Sequence, residues 1–315
     1  MLQYLVILLD DTSTSFCHYS VGRQKSKLIE LDTLRRSIRF AMIENLTIQF
    51  VYPDYDLPQE YKTAIETIDH TKIKPLVSSD DETDIIVIDG WEFNDTKLTD
   101  SITVIRTSWA QLLEHQDKVK SMISKVQRLN IVITDVERMN DNDRQQYQAM
   151  LAQMCQELET LYVAGSSPQI NLLTDRMMLD KMNNCGAGDT TITLAPNGKF
   201  YICPGFYYDD EQNCVGDLEK GLDIKNKQLY RLEYAPICRK CDAWHCKRCV
   251  WINRKTTLEV NTPSHEQCVA AHLERNASRD LMQALRSRGT FLPERDMIKE
   301  INYLDPFDEI INYRL

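Results

Sequence analysis

What this 315-residue chain lacks narrows its function first. It has no long hydrophobic run. The opening apolar stretch, Leu5 to Leu9, is cut short by Asp10 and Asp11. That is far below the roughly 20 residues a membrane-spanning helix needs. It also lacks the basic start of a signal peptide. No membrane partner is expected, and the expected location is the cytoplasm. Positive charge is in deficit as well. With 37 Lys and Arg against 47 Asp and Glu, the formal net charge is -10. The basic face that phosphate binding requires is missing, so nucleic acid is not an expected partner. Internal repeats and low-complexity tracts are absent. Cysteine is scarce before residue 180, where only Cys17 and Cys155 occur.

What is present is a core and a cysteine field. Hydrophobic residues make up 43% of the chain, enough for a folded interior. The other eight cysteines fall between Cys185 and Cys268. In a reducing compartment such a number points to metal or redox chemistry, not disulfides. The uneven spread divides the chain into residues 1–180, a cysteine-rich part at 181–275, and a tail at 276–315.

The first part alternates between strand and helix patterns. Tyr4 to Leu9, Leu46 to Tyr52, Asp84 to Asp89, Ile102 to Arg106 and Asn130 to Asp135 read as short buried strands, with a last one at Ile170 to Leu173. Leu31 to Asn45, Gln59 to Ile68, Trp109 to Val126 and Asp141 to Tyr162 read as helices. Cys155 lies on the apolar face of the last and reads as a structural thiol. Alternation of this kind predicts an α/β domain with a mostly parallel sheet. It is too short for a closed barrel, which takes about 250 residues, so a partial barrel or an open sheet is expected. Asp10, Tyr52, Asp54, Asp89 and Asp135 gather at strand C-termini, the edge where sites lie in such folds. In the second part, Ile192 to Leu194 and Phe200 to Ile202 flank Pro196-Asn197-Gly198 and read as a hairpin with a type I′ turn. From about Glu274 the chain reads as charged and irregular. It ends in FDEIINYRL, a packed tail or a docking segment.

The strongest local signal is CRKCDAWHCKRC, Cys238 to Cys249, followed by Cys268. Two Cys-x-x-Cys pairs lie four residues apart. Each pair can turn around one metal, and iron-sulfur clusters and zinc both take such spacings. His245 and His265 read as supporting or surface groups, because thiolates are already plentiful. The basic residues Arg239, Lys240, Lys247 and Arg248 read as balancing negative charge.

The wider pattern is Cys185, then Gly198-x4-Cys203, then Cys238-x2-Cys241-x4-Cys246-x2-Cys249, then Cys268. With CGAGDTTITLAPNGKFYICPGF at its start, it resembles the SPASM domain of peptide-modifying radical SAM (S-adenosylmethionine, AdoMet) enzymes. The middle spacings are one residue shorter than in that family. The resemblance implies a partial (β/α) barrel-like radical SAM-type domain followed by a small SPASM-like α+β domain. It also implies two auxiliary [4Fe-4S] clusters. One would take Cys185, Cys203 and Cys249, with Cys214 as a fourth ligand. The other would take Cys238, Cys241, Cys246 and Cys268.

A radical SAM enzyme also carries Cys-x3-Cys-x2-Cys after its first strand, and an open iron there chelates SAM. Overlaid on STSFCHYS, the three positions become Ser13, Cys17 and Ser20, with Tyr19 before the third. A serine hydroxyl holds its proton tightly and is a poor cluster ligand. The Gly-Gly-Glu-like segment that meets SAM is replaced by Val51-Tyr52-Pro53-Asp54, where Tyr52 is bulky and Pro53 rigid. Both departures count against SAM chemistry. With SFCHY early and CGAG, CPGF, CVW and HLER later, the chain looks most like the CXXX repeat peptide maturases. That resemblance implies a role in maturing a ribosomally made, cysteine-rich precursor peptide. Two readings follow from it, a maturase and a peptide-binding or electron-relay partner of a true maturation enzyme; the Cys-x-x-Cys pairs alone support a third, a zinc-stabilised interaction module. Cys17, His18 and Tyr19 are the candidate reactive residues, because an adjacent histidine lowers a thiol pKa where the two side chains meet.

Overall fold

The structure is a computed structural model describing residues 1–21, 23, 25–94, 98–301 and 303–308. The strand and helix patterns condense in order: β1 (Tyr4–Leu8), α1 (Leu31–Ile43), β2 (Thr47–Val51), α2 (Gln59–Ile65), β3 (His70–Pro75), β4 (Ile85–Asp89) and β5 (Ile102–Thr107). Then come α3 (Trp109–Glu114), α4 (Gln116–Ile123), β6 (Arg128–Ile133), α5 (Asp141–Val163), β7 (Gln169–Ile170) and α6 (Asp175–Met178). The cysteine-rich part adds β8 (Thr191–Leu194), β9 (Phe200–Tyr201), α7 (Pro204–Asp209), β10 (Gly216–Asp217), β11 (Gly221–Leu222), α8 (Val250–Thr257) and α9 (His265–Arg288).

Nine strands form one sheet in the order β7-β6-β5-β4-β3-β2-β1-β8-β9. Every neighbouring pair is parallel except β8 with β9. This is the expected α/β architecture. The sheet does not stop at residue 180, because β8 pairs with β1. Both faces of β1 are buried, which explains why YLVIL is apolar throughout. Leu5 and Ile7 pack outward with Leu34, Ile38 and Ala41 of α1. Val6 and Leu8 point to the inner face, with Val51, Val87, Val104 and Tyr201. On the far half, Ile86, Ile88, Ile105 and Ile131 pack outward with Met150, Leu151 and Met154 of α5 and Leu281, Met282 and Leu285 of α9.

Several local expectations are revised. Strand β3, HTKIKP, carries too much charge to read as a strand. Its lysines are tolerated because Lys72 pairs with Glu66 and Glu82, and Lys74 with Asp80. The helix expected over 109–126 breaks into α3 and α4 at His115, which leaves helical geometry at φ -106°, ψ 22°. Strand β7 is two residues long. After it the chain turns, and Ile170 N donates to Thr174 Oγ1 at 2.8 Å. The hairpin forms, with a different turn. Gly198 N donates to Ala195 O at 2.9 Å, so Pro196 and Asn197 are the central residues. Proline has no access to positive φ, so type I′ is closed, and Gly198 alone takes φ +78°.

Beyond Glu274 the chain is helical up to Arg288. The charges of that stretch face outward or pair, while Ser278, Leu281, Met282 and Leu285 form a buried stripe at helical spacing. The closing segment lies outside the described residues beyond Asp308.

Candidate iron-sulfur site and cysteine-lined cavity

The segment after β1 folds back across the inner face of the sheet. Its first turn is built on Asp10, whose fully buried carboxylate accepts from Thr12 N and Thr12 Oγ1 at 2.8 and 2.6 Å, Ser26 Oγ at 2.8 Å and Tyr55 OH at 3.0 Å. Ser13 belongs to the same turn. Its Oγ accepts from Asp10 N at 3.0 Å and donates to Val51 O at 2.7 Å, and the residue is fully buried.

Further along, Arg106 on β5 grips the loop from behind. Its Nε donates to Cys17 O at 2.8 Å and its Nη2 to Tyr19 O at 2.7 Å, while Nη1 pairs with Asp89 at 2.6 Å. Phe16 packs on the inner-face core and meets Tyr19 edge to face, and Tyr19 stacks on Tyr208. His18 Nδ1 lies 3.2 Å from Ile133 O. Burial drops the imidazole pKa from 6.5 to about 4, so the ring is neutral at ordinary pH. The expected activation of Cys17 by His18 is therefore not seen. The thiol is pushed well above its ordinary value, first by burial and then by Cys249 and Cys185. Tyr19 is buried and likewise held protonated, chiefly by burial.

Cys17 opens into a cavity of about 610 Å³ on the inner face, and Cys185, Cys203, Cys246 and Cys249 line it too. Val6, Gln49, Val104, Asn130 and Thr193 form its strand side. Pairing of β8 with β1 carries Cys185, just before β8, and Cys203, just after β9, to the edge of this space. Gly188 makes the approach to β8 possible at φ +81°. A side chain there would meet Tyr230 at 2.6 Å. Cys203 is pushed up by burial and then by Cys249, Cys17 and Cys185; Cys249 rises to about 12 through burial and then Cys185.

A second group lies beside α9. Cys238 is raised to about 12 by burial, then by Cys246, with Cys241 contributing. Cys268 is raised by burial, then Cys246, with Asp305, Cys238 and Cys241 adding to it. His272 was not singled out from the sequence beyond its place in HLER. Its Nε2 lies 3.2 Å from Cys241 Sγ. Its neighbours are also placed by α9. His245 Nε2 meets Glu274 at 3.0 Å, and Glu274 accepts from Tyr147 OH at 2.5 Å. Fully buried Arg275 binds Asp242 through Nε and Nη2.

Both groups suit thiolate-held metal, because a cationic core would remove the repulsion between neighbouring thiolates. Arg248 strengthens the fit at the first group. It is 4% exposed, lines the cavity, and gives one donor to Tyr230 O, while its Nε and Nη1 are buried with no partner. Such donors suit an anionic occupant. Among the described residues, no three His, Cys, Asp or Glu side chains are gathered tightly enough to hold one metal ion as they stand. The structure therefore shows proximity around one cavity, not a closed coordination sphere.

The remaining candidates lie elsewhere. Ser13 and Ser20 do not line the cavity, and Ser20 is exposed. Cys214 does not line it either; it packs against the inner-face core near Tyr201. Tyr52 is buried, with Lys74 Nζ 5.0 Å from its ring centre. Asp135 accepts from Trp109 N at 2.7 Å and serves a helix start. His265 lies 3.1 Å from Asp305 at the head of α9. Cys155 Sγ donates to Ala277 O at 3.4 Å, tying α5 to α9.

No family model matches the sequence, and no curated protein matches it. Solved structures do share the fold. Hexahistidine-tagged anSMEcpe with bound AdoMet aligns at TM-score 0.62 and 14% identity, covering 91% of this chain and 100% of that one. Native anSMEcpe with bound AdoMet and Cp18Cys peptide aligns at 0.60 and 14% identity, covering 90% and 99%. Streptococcus suis SuiB bound to precursor peptide SuiA aligns at 0.42 and 13% identity, covering 73% of this chain and 64% of that one. The likeness to anSMEcpe runs nearly the full length of both chains. The chain thus shares the fold of anSMEcpe, built on a nine-stranded, mostly parallel sheet. No described helix is long and apolar enough to cross a membrane.

Proposed function

We propose that this chain takes part in maturing a ribosomally made, cysteine-rich peptide of CXXX-repeat type, as an iron-sulfur protein that does not cleave SAM. It holds the peptide, or relays electrons through two auxiliary [4Fe-4S] clusters to a partner maturation enzyme. The observation that carries this reading is the fate of Ser13. Its hydroxyl is spent on Asp10 N and Val51 O, so the first position of a SAM-cluster frame has no free ligand atom. Ser20 is exposed and Tyr52 fills the glycine-rich position, so the residues present do not fit a SAM-binding cluster. Auxiliary clusters are supported instead by the cysteines that line one cavity and by the Cys-x-x-Cys pairs beside it. Cys238, Cys241, Cys246 and Cys268 would hold one cluster, and when bound it supplies one-electron chemistry. The cavity of about 610 Å³ is wide enough for a segment of peptide beside the thiols.

A SAM-cleaving maturase is the second reading. The fold favours it, because anSMEcpe was solved with AdoMet and a peptide bound.

The deciding experiment measures iron, sulfide and zinc per chain after anaerobic reconstitution, followed by SAM cleavage under strong reductant. About eight irons with no 5′-deoxyadenosine supports the proposal. About twelve irons with cleavage restores the maturase reading. About two zincs without iron leaves a zinc-stabilised interaction module.

A further inference from the structure

We infer that Cys17 is the fourth thiolate of the cluster held by Cys185, Cys203 and Cys249, so the N-terminal cysteine serves an auxiliary cluster. The inference rests on the iron-sulfur reading above and goes beyond it by assigning a ligand from the first half of the chain.

Three observations support the assignment. Cys17 lines the same cavity as Cys185, Cys203 and Cys249, and Cys214 does not. The Cys17 backbone is fixed from the opposite side. Arg106 holds the carbonyls of Cys17 and Tyr19, and His18 docks on Ile133 O, so the loop presents its thiol without further ordering. Finally, Arg248 lines the cavity with two buried guanidinium nitrogens that have no partner. A cluster with four thiolates is anionic and would give those donors an acceptor. Cys246 also faces the cavity, but the SPASM resemblance assigns it to the other cluster, with Cys238, Cys241 and Cys268.

The assignment has a functional consequence. Four thiolates on four irons leave no iron open to chelate a substrate. The cluster would then carry electrons and would also fasten the loop after β1 to the cysteine-rich part.

The test compares wild type with Cys17→Ala, Cys17→Ser and Cys214→Ala, each reconstituted anaerobically and read by iron content, EPR and Mössbauer spectroscopy. Circular dichroism checks the fold. Cys17→Ala should lose about one iron per chain and show a three-iron cluster signal, since one corner has lost its ligand. Cys17→Ser, nearly the same size, should keep the fold and shift the spectrum and potential of one cluster only. Cys214→Ala should match wild type. A Cys17→Ala or Cys17→Ser protein with wild-type spectra overturns the Cys17 assignment while leaving the iron-sulfur reading in place. So does a three-iron signal in Cys214→Ala. Wild-type protein that takes up zinc and no iron overturns the iron-sulfur reading itself, before any variant is compared.

Discussion

Arg106 is the residue on which the Cys17 loop leans, so Arg106→Met tests how that loop is fixed. The side chain is 5% exposed and makes two hydrogen bonds to backbone carbonyls, of Cys17 and Tyr19. Hydrogen bonds from a charged donor contribute about 1.5–3 kcal/mol each. The third contact, to Asp89, adds about 0–1 kcal/mol, because that carboxylate side chain is 73% exposed. Removing the guanidinium also removes the cost of burying it, which offsets part of the loss. The expected net destabilisation is about 2–4 kcal/mol, a fall in thermal midpoint of roughly 4–10 °C. Hydrogen exchange should localise the effect. Amides from Phe16 to Tyr19 should exchange faster, while those of β1 and β2 should not change. Arg106→Lys, which reaches one carbonyl at a time, should fall between the two. A midpoint within about 1 °C of wild type, with unchanged protection at Phe16 to Tyr19, would refute the idea that Arg106 fixes this loop.

Three further outcomes follow from the same geometry. Arg275→Met leaves Asp242 without its main partner; with that carboxylate a third exposed, the loss should be about 2–4 kcal/mol, read by urea denaturation of the loaded protein. His272→Ala removes the imidazole whose Nε2 lies 3.2 Å from Cys241 Sγ; with the proposed cluster bound there, Nε2–H would donate to a thiolate, and the cluster's reduction potential should fall in a spectroelectrochemical titration, whereas an unchanged potential would exclude the hydrogen bond. Burial, with Asp280 adding to it, raises the Cys155 thiol from an ordinary value near 9 to about 12. Its thiolate fraction at pH 8 is then about a thousandfold lower, and alkylation should be slower in proportion. The sign for stability follows. An unfolded chain ionises this thiol near pH 9 and the folded chain does not, so the contribution present below that pH is lost as pH rises toward 12.

The parallel sheet was legible because its strands are short β-branched runs bounded by polar residues, and burial on both faces leaves no alternation to misread. Strand β3 was not, because the pairing of Lys72 with Glu66 and Glu82 is a fact of three dimensions. Nor was the length of α9, where buried Arg275 and Ser278 look like surface residues until Asp242 and α5 are in place. In the site, the Cys-x-x-Cys pairs announce themselves by local spacing. Cys17 does not. Its nearest thiols lie beyond residue 180, and only the pairing of β8 with β1 brings them to it. The partnerless donors of Arg248 are equally silent in sequence, where the residue reads as one more positive charge among four.

The overlay of Ser13, Cys17 and Ser20 treats three positions as one motif, yet the structure gives them three unlike environments. Ser13 sits where two backbone groups, Asp10 N and Val51 O, need a small side chain that both donates and accepts. A thiol there would do so poorly, being a weak donor and weak acceptor. Ser20 is exposed, where a hydroxyl costs nothing. Cys17 alone faces a cavity shared with other thiols and with Arg248, whose Nε and Nη1 have no partner. Each residue type therefore matches its own surroundings, which is what local consistency requires of a folded chain. A cysteine at position 13 supplies the converse test. Ser13→Cys would remove the strong bonds to Asp10 N and Val51 O and should destabilise the turn by about 1–3 kcal/mol. It should not raise the iron content of the reconstituted protein. A gain of about four irons in Ser13→Cys would show that the turn can open into a cluster site and would undo this account of the first loop.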